Sequence, residues 1–381
     1  MSDSATGLVV SGGRIVTGYG EFAGGRVVVR DGVVASVCER EMPGDPVTTV
    51  DATGCLVLPG FVDVHCHGGG GSAFPAGEGA VATAVATHRR HGTTRLLASL
   101  VSRPVPELVE QLAMLADHVV DGTLAGIHLE GPFLSAARRG AQNPSALCAP
   151  DKESVAKLID AGRGTIRMVT IAPELDGALT AIRQLVDAGV TVAVGHTDAR
   201  AEQVRPAIEA GATVATHLFN GMRGLHHREP GPVGALLDDE RVSVELICDL
   251  VHLHPLTARL AARYAGPERT MLITDAISAT DAGDGEYELG GLPVLVRDGK
   301  PRLSDGALAG STLTMDAALR NYVGCCGMSL TDAVRATALR PAALLGLPEG
   351  LRPCAPADLV LLDSTLSVRR VMVSGEWVSG E

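Results

Sequence analysis

The sequence predicts an α/β protein, a TIM-like (β/α)8 barrel carrying a small β-sandwich domain built from both chain termini. Three observations carry this. The middle of the chain alternates strand and helix patterns through eight strands over about 210 residues, which suits a closed parallel barrel. The first ~55 residues alternate in strand fashion between glycine pairs, and the C-terminus reads the same way. No phosphate-cradling glycine fingerprint follows the first strand, which argues against an open dinucleotide-binding sheet. The expected division is 1–58 with 350–381 for the sandwich and 59–349 for the barrel.

At the N-terminus, Leu8–Val10, Arg14–Val16, Arg26–Val29 and Val33–Val37 read as strands, and Asp31-Gly32 is a hairpin signal. The C-terminal counterparts are Asp358–Leu362, Val368–Val373 and Gly375–Val378. Between them the expected barrel strands are 61–67, 94–101, 125–130, 167–172, 190–195, 213–218, 242–248 and 270–274. Helical periodicity falls at 79–91, 105–120, 151–161, 175–188, 199–210 and 255–264. Gly92, Gly189, Gly211 and Gly266 stand where helix C-caps belong.

The 381 residues are 46% apolar and 20% charged, enough to bury a sizeable core. Aromatics are only 3%, so that core rests on Val, Leu, Ile and Ala. A net charge of −12 without a basic stripe argues against a nucleic-acid binder. Met1–Val10 has no basic-then-apolar leader, and no apolar run approaches membrane-spanning length. Eight scattered cysteines in such a chain read as reduced thiols, so a cytoplasmic protein is expected.

Barrel chemistry gathers at the C-terminal ends of the strands. The first strand ends in His65-Cys66-His67, where alternation puts both imidazoles on one face. The third ends in Glu130, the fifth in His196, the sixth in His217 and the eighth in Asp275. Any one of these reads equally well as a solvated strand end. Five strand ends delivering four histidines and two carboxylates to one mouth suit one or two divalent ions. Such an ion lowers the pKa of a water it binds to roughly 7, and a neighbouring aspartate can take the proton and return it to a leaving amine. Asp275, apart from the histidines, fits that role. His128 shares a face with Glu130 and has two readings: a partner behind the metal, or a buried hydrogen-bonded histidine. Arg228, beside His226-His227 in a mouth loop, suits an anionic substrate group as well as it suits an ordinary surface.

The joined motifs His128–Phe133, Gly195–Ala199, Ala215–Met222, Arg228–Gly231, Thr274–Ala276 and Leu308–Met315 resemble the amidohydrolase superfamily and, within it, the N-acetylglucosamine-6-phosphate deacetylases. The resemblance covers nearly the whole chain. It implies hydrolysis of the acetamide of N-acetylglucosamine 6-phosphate to glucosamine 6-phosphate and acetate. Glu130, His196 and His217 would hold the principal ion, with Glu130 the candidate bridge to a second on His65 and His67. Asp275 would be general base and then acid. Ala141, Gln142, Asn220, Gly221, Arg228, His252 and Leu308-Ala309-Gly310 match substrate-binding positions, with Arg228 reaching in from a partner subunit of a homodimer. The metal is expected to be zinc, with iron, manganese and cobalt also suited to these ligands.

Two positions depart from the family pattern. Gln142 stands where some members carry a carbonyl-polarising His, and Asp249-Leu250-Val251-His252 replaces Asp-Gly-x-His. Two other readings are another amidohydrolase acting on a different N-acyl or cyclic amide, and a catalytically dead scaffold. The first commonly needs a lysine bridge, and no Lys sits at a strand end; the second would show lost ligands, and the set from His65 to Asp275 is intact.

Overall fold

The computed structural model describes residues 7–39 and 48–378, so the leader reading of Met1–Val10 lies largely outside the described residues. Two compact units emerge. One comprises Met1–Asp63, His88–Arg95 and Thr314–Glu381, and the other Val64–Thr87 and Leu96–Leu313. By compactness, the helix Met315–Gly324 and those that follow it group with the terminal strands.

The first unit contains two sheets. One orders Val33–Cys38, Arg26–Arg30, Gly7–Ser11 and Thr48–Asp51, and Asp31-Gly32 forms the two-residue hairpin that pairs Arg30 with Val33. The other joins both chain ends: Leu56–Pro59 and Arg14–Val16 share it with Leu359–Leu362 and Val368–Val373, and Val57 lies opposite Leu361. Alternation turns Val10, Val27 and Val34 from the first sheet and Ile15, Val57, Leu361 and Met372 from the second into one core, as a sandwich requires.

The eight-stranded parallel sheet runs in chain order as β1 (Phe61–Asp63), β2 (Thr93–Val101), β3 (Gly126–Glu130), β4 (Ile166–Ile171), β5 (Thr191–Val194), β6 (Ala212–Ala215), β7 (Ser243–Ile247) and β8 (Thr270–Ile273). It closes beyond the named strands. Asp275 N donates to His65 O at 2.8 Å, His67 N donates to Ala276 O at 2.8 Å, and Cys66 bridges Ala276 in parallel.

Three features differ from the sequence reading. The regular ladder of β1 stops at Asp63, although the path stays extended to the Cys66 bridge. A helix at Gly231–Asp238 lies between β6 and β7, unannounced because it opens on Gly-Pro and is apolar on most sides. A three-stranded antiparallel meander, Gly285–Leu289, Leu292–Arg297 and Lys300–Arg302, follows β8. Among the described residues no helix is long and apolar enough to cross a membrane.

Asp316, 5% exposed, accepts from Thr314 Oγ1 at 2.6 Å and Arg320 Nη1 at 2.8 Å and lies 3.2 Å from His91 Nδ1. Burial pushes its carboxyl pKa up, but these partners outweigh burial and hold it at about 2, against 3.8 ordinarily. A depressed carboxylate pKa stabilises the fold above the unfolded value, and that stability disappears as pH falls through the folded one. Asp316→Asn is therefore expected to lower unfolding stability by on the order of 2 kcal/mol at pH 7. The deficit should shrink towards pH 2 in denaturant titrations.

Candidate metal centre

Each candidate ligand sits at or just past the end of its strand, where the ladder no longer dictates direction. Glu130 is the last residue of β3, and His196, His217 and Asp275 each lie two residues beyond β5, β6 and β8. His196, His217 and Asp275 take left-handed backbone conformations, with φ of 47°, 28° and 50°. Such conformations cost about 1–3 kcal/mol each in non-glycine residues. Backbone bonds hold them: Ser135 N to His196 O at 2.9 Å, and Ser311 N to Asp275 O at 2.7 Å.

The result is two buried trios, His65–His67–Asp275 and Glu130–His196–His217. Glu130 Oε1 lies 2.9 Å from the Nε2 atoms of both His196 and His217, while its Oε2 lies 3.4 Å from His67 Nε2, so one carboxylate reaches both trios. The outward nitrogens fix the tautomers. His67 Nδ1 faces the carbonyl of Ser99 at 3.1 Å and His196 Nδ1 that of Arg138 at 2.9 Å. A carbonyl only accepts, so each Nδ1 carries a proton and Nε2 is left facing inward as the nitrogen that could serve as a ligand. His65 Nδ1 faces Glu245 Oε2 at 3.2 Å in the same sense. His65 and His67 then oppose their Nε2 atoms at 3.2 Å, and His196 and His217 theirs at 3.1 Å. Imidazole and carboxylate donors gathered around one point in this way fit a divalent cation.

Electrostatics agree. Burial pulls the His67 pKa down, but hydrogen bonds and charge from Asp275 and Glu130 outweigh it and lift the ring to about 9. His65 and His196 rise for the same reason, burial being overcome by Glu130. Burial pushes the Glu130 and Asp275 pKa values up, and the surrounding imidazoles bring both below the usual carboxylate range. In the metal-free chain protons take the place of cations. His128 is different: burial and neighbouring histidines press its pKa far down, and its ring is satisfied by Ser99 Oγ at 3.0 Å and Thr170 Oγ1 at 2.8 Å. It is a buried neutral histidine that packs edge-on to His65.

A cavity of about 220 Å3 opens over the trios, lined by His67, Glu130, His196, His217 and Asp275 and by Ala141, Gln142, Asn220, Gly221, His252, Leu308 and Gly310. His65 lies beneath it, fully buried. Ala309 does not line the cavity and packs into a small apolar core with Ile277 and Val296. Arg228 does not line it either; its guanidinium lies in an exposed loop, 2.7 Å from His227 Nε2. Gln142 has both ends engaged: Nε2 donates to Glu130 Oε2 at 2.7 Å and Oε1 accepts from Ser102 N at 2.7 Å, so it holds the bridging carboxylate. A Cβ on Gly221 would come within 2.8 Å of His196 Nδ1, and one on Gly310 within 2.8 Å of Asp275 O, so both glycines are close-approach positions. His252 is fastened by Asp249, Nδ1 to Oδ2 at 2.7 Å and N to Oδ1 at 2.8 Å. Burial lowers its pKa, but the Asp249 bond and charge raise it further, leaving it above the ordinary histidine value. Leu250, at the departure from Asp-Gly-x-His, adopts φ 64°, so this chain keeps a glycine-like turn with a side chain on it. The sequence reading did not include Glu245, fully buried on β7 and bonded to both His65 and His217 N; its signal was a lone carboxylate in an apolar strand.

Residues 56–378 match the amidohydrolase family model. The chain belongs to the amidohydrolase family. Among family members with curated functions, an N-acetylgalactosamine-6-phosphate deacetylase of Escherichia coli O157:H7 is 36% identical over 374 residues, 96% of this chain and 98% of the relative. An N-acetylglucosamine-6-phosphate deacetylase of Bacillus subtilis is 35% identical over 377 residues, 96% of this chain and 95% of the relative. Among solved structures, an Asp-to-Ala variant of the N-acetyl-D-glucosamine-6-phosphate deacetylase of Mycobacterium smegmatis, in complex with N-acetyl-D-glucosamine-6-phosphate, superposes with a TM-score of 0.94 at 47% identity, covering 99% of this chain and 100% of that one.

Two predictions follow from the geometry of this amidohydrolase centre. Replacing both His65 and His67 by Asn and Gln should lower metal content by about one ion per chain, read by elemental analysis; loss of all metal would reverse the assigned order of the trios. Metal uptake should also release protons. His67 must lose its proton to become a ligand, so apparent metal affinity should rise with pH from 6.5 towards about 9. Calorimetry in buffers of different ionisation enthalpy reads that release. In the metal-free chain the sign is opposite: the protonated ring stabilises the fold below 6.5, and this stabilisation is lost as pH rises through about 9.

Proposed function

We propose that the chain hydrolyses the acetamide of N-acetyl-D-glucosamine 6-phosphate to D-glucosamine 6-phosphate and acetate, a step of amino-sugar catabolism or recycling. The observation that carries this is the pair of buried ligand trios forming the floor of a cavity whose walls include Asn220, Gly221, His252, Leu308 and Gly310. Glu130, His196 and His217 would hold one divalent ion, and His65 and His67 a second, with Glu130 between them. Zinc is the assignment; iron, manganese and cobalt suit the same imidazole and carboxylate donors. A divalent ion there supplies Lewis-acid activation of water and of the acetamide carbonyl.

Asp275 moves the proton. Its carboxyl lies 3.2 Å from His67 Nε2 and is held below the usual carboxylate range, so it is ionised at neutral pH and ready to accept. It takes a proton from the attacking water as the new C–O bond forms. It then delivers that proton to the nitrogen as the C–N bond breaks, leaving the amine and acetic acid, which gives up its remaining proton to become acetate. Ala141, Asn220, Gly221, Leu308 and Gly310 hold the sugar, with Gln142 steadying Glu130. His252, its pKa raised by Asp249, offers positive charge to the hydroxyls and phosphate.

The phosphate partner is Arg228 of a second copy in a homodimer. Two observations support this: Arg228 stands outside its own chain's cavity, and its loop leads through Pro230 into an apolar groove with Leu225, Leu260 and Tyr264, which are 56%, 61% and 62% exposed. Eight free cysteines fit a reducing compartment, and we place the enzyme in the cytoplasm. We assign the hydrolase domain to 59–349, since the helix that follows β8 in chain order is Met315–Gly324.

A second substrate, N-acetylgalactosamine 6-phosphate, is supported by the E. coli relative and differs only in the configuration at C4. Acetate release from both sugar phosphates and from unphosphorylated N-acetylglucosamine tests the proposal. Metal-loaded protein should turn over a sugar phosphate, Asp275→Asn should lower kcat by about 10²–10⁴-fold, and Arg228→Ala should raise KM more than it lowers kcat. No acetate from either phosphate, with Asp275→Asn indistinguishable from wild type, would overturn the assignment. Equal turnover of the unphosphorylated sugar would remove the roles given to Arg228 and His252.

A further inference from the structure

The first hairpin of the meander reaches the mouth of the barrel. Its strands Gly285–Leu289 and Leu292–Arg297 pair Leu289 with Leu292 and leave a two-residue turn, Gly290-Gly291, with φ of 59° and 80°. The turn rests on the end of β2. A Cβ on Gly290 would come within 2.7 Å of Val101 Cγ2, and one on Gly291 within 2.8 Å of Arg103 Nη1. Glu288 Oε1 accepts from Arg103 Nη2 at 3.4 Å and from Gly291 N at 3.1 Å. Leu289, 8% exposed, packs into the small apolar core with Ile277, Val294 and Ala309. Its side chain is a fixed wall.

That wall has a cavity on each side. Leu289 and His67 both line the 220 Å3 cavity over the trios, and both also line a second cavity of about 460 Å3. The second is bounded by Ala73, Leu100 and Val101 and, where it meets solvent, by the exposed Glu286 and Glu288. His67 is committed to the candidate centre, which leaves Leu289 as the part of the partition that the chemistry does not fix. Through His67 and Val101 the partition belongs to the β1–β2 side of the barrel, whereas Asn220 and His252 follow β6 and β7 across the mouth. A secondary amide is planar and trans, like a peptide bond, so its acyl carbon points away from the sugar carbon on its nitrogen. With the carbonyl over the trios and the sugar on the β6–β7 side, the acyl group is directed at Leu289.

We propose that Leu289 sets the length of the acyl group: it stops an acetyl methyl, and the cavity behind it is a site for longer neutral acyl chains that opens when this side chain is shortened. The inference rests on the amide hydrolysis proposed above. Ala73, Leu100 and Val101 suit methylene groups. Arg103, the cation of this cavity, is already engaged by Glu107 and Glu288, so the carboxylates there disfavour an acyl chain that ends in a negative charge. The reaction itself is unchanged. Water gives its hydroxyl to the acyl carbon and its proton to the nitrogen as the C–N bond breaks, yielding the amine and the longer carboxylic acid.

Release of free amine from the N-acetyl, N-propionyl and N-butyryl forms of glucosamine 6-phosphate, by metal-loaded wild type, Leu289→Ala and Leu289→Val, tests this. Wild type should prefer acetyl. L289A should raise the butyryl-to-acetyl ratio of kcat/KM by about 10–200-fold, the discrimination a methylene carries in an apolar pocket. L289V, one carbon shorter than wild type, should move the propionyl-to-acetyl ratio the same way with less loss of core. A ratio taken within one preparation is untouched by loss of folded protein, so a purely structural role for Leu289 would not move it. Wild-type ratios in both variants, or a wild type that takes butyryl as readily as acetyl, would overturn the inference and leave the hydrolase reading standing. A wild type that releases amine from none of the three would sink both.

Discussion

Four imidazoles and two carboxylates are packed where water is excluded, and their lone pairs face one another. His65 and His67 oppose Nε2 atoms at 3.2 Å, His196 and His217 at 3.1 Å, and Glu130 stands among all four. Desolvated acceptors are stable in such a cluster only when positive charge lies between them. Without a metal the charge comes as protons, which is why His67 titrates near 9 while its carboxylate neighbours are held low. The barrel around the cluster can be understood as the frame that keeps it from relaxing.

That frame acts through backbone. Regular ladders stop at Val194, Ala215 and Ile273, and His196, His217 and Asp275 just beyond turn into conformations a ladder would forbid. The bonds that close the barrel are also the ones that aim ligands: Asp275 N to His65 O joins the first and last ligand-bearing segments directly. Behind the ligands, Ser99 O, Arg138 O and Glu245 each hold one ring nitrogen, leaving the other for the centre. Strain at His196 and Asp275 is offset by the backbone hydrogen bonds that hold them.

Much of this was legible in the residues. His65, His67, Glu130, His196, His217 and Asp275 could be placed because ligand-type residues at the ends of apolar strands have few other reasons to recur. The two-ended sandwich was legible from period-2 alternation at both termini. Other features left no local trace. Glu245 is one carboxylate within Val242–Cys248, and only the three-dimensional closure of the barrel puts it behind His65 and His217. Gln142 read as a substrate contact, while its amide is spent on Glu130 and Ser102. The helix Gly231–Asp238 lacks the polar face by which periodicity finds helices, and the meander 285–302 lies outside the repeating β/α pattern.

The proposed chemistry requires the two trios to be one metal centre organised around Glu130. Anomalous diffraction from crystals of the metal-loaded wild-type chain tests this most directly. It predicts two peaks, one ligated by His196, His217 and Glu130 and one by His65 and His67, with ligand bonds of about 2.0–2.2 Å and Glu130 contributing an oxygen to each. Metal bound elsewhere, or a single ion on His65 and His67 with His196 and His217 unliganded, would contradict it.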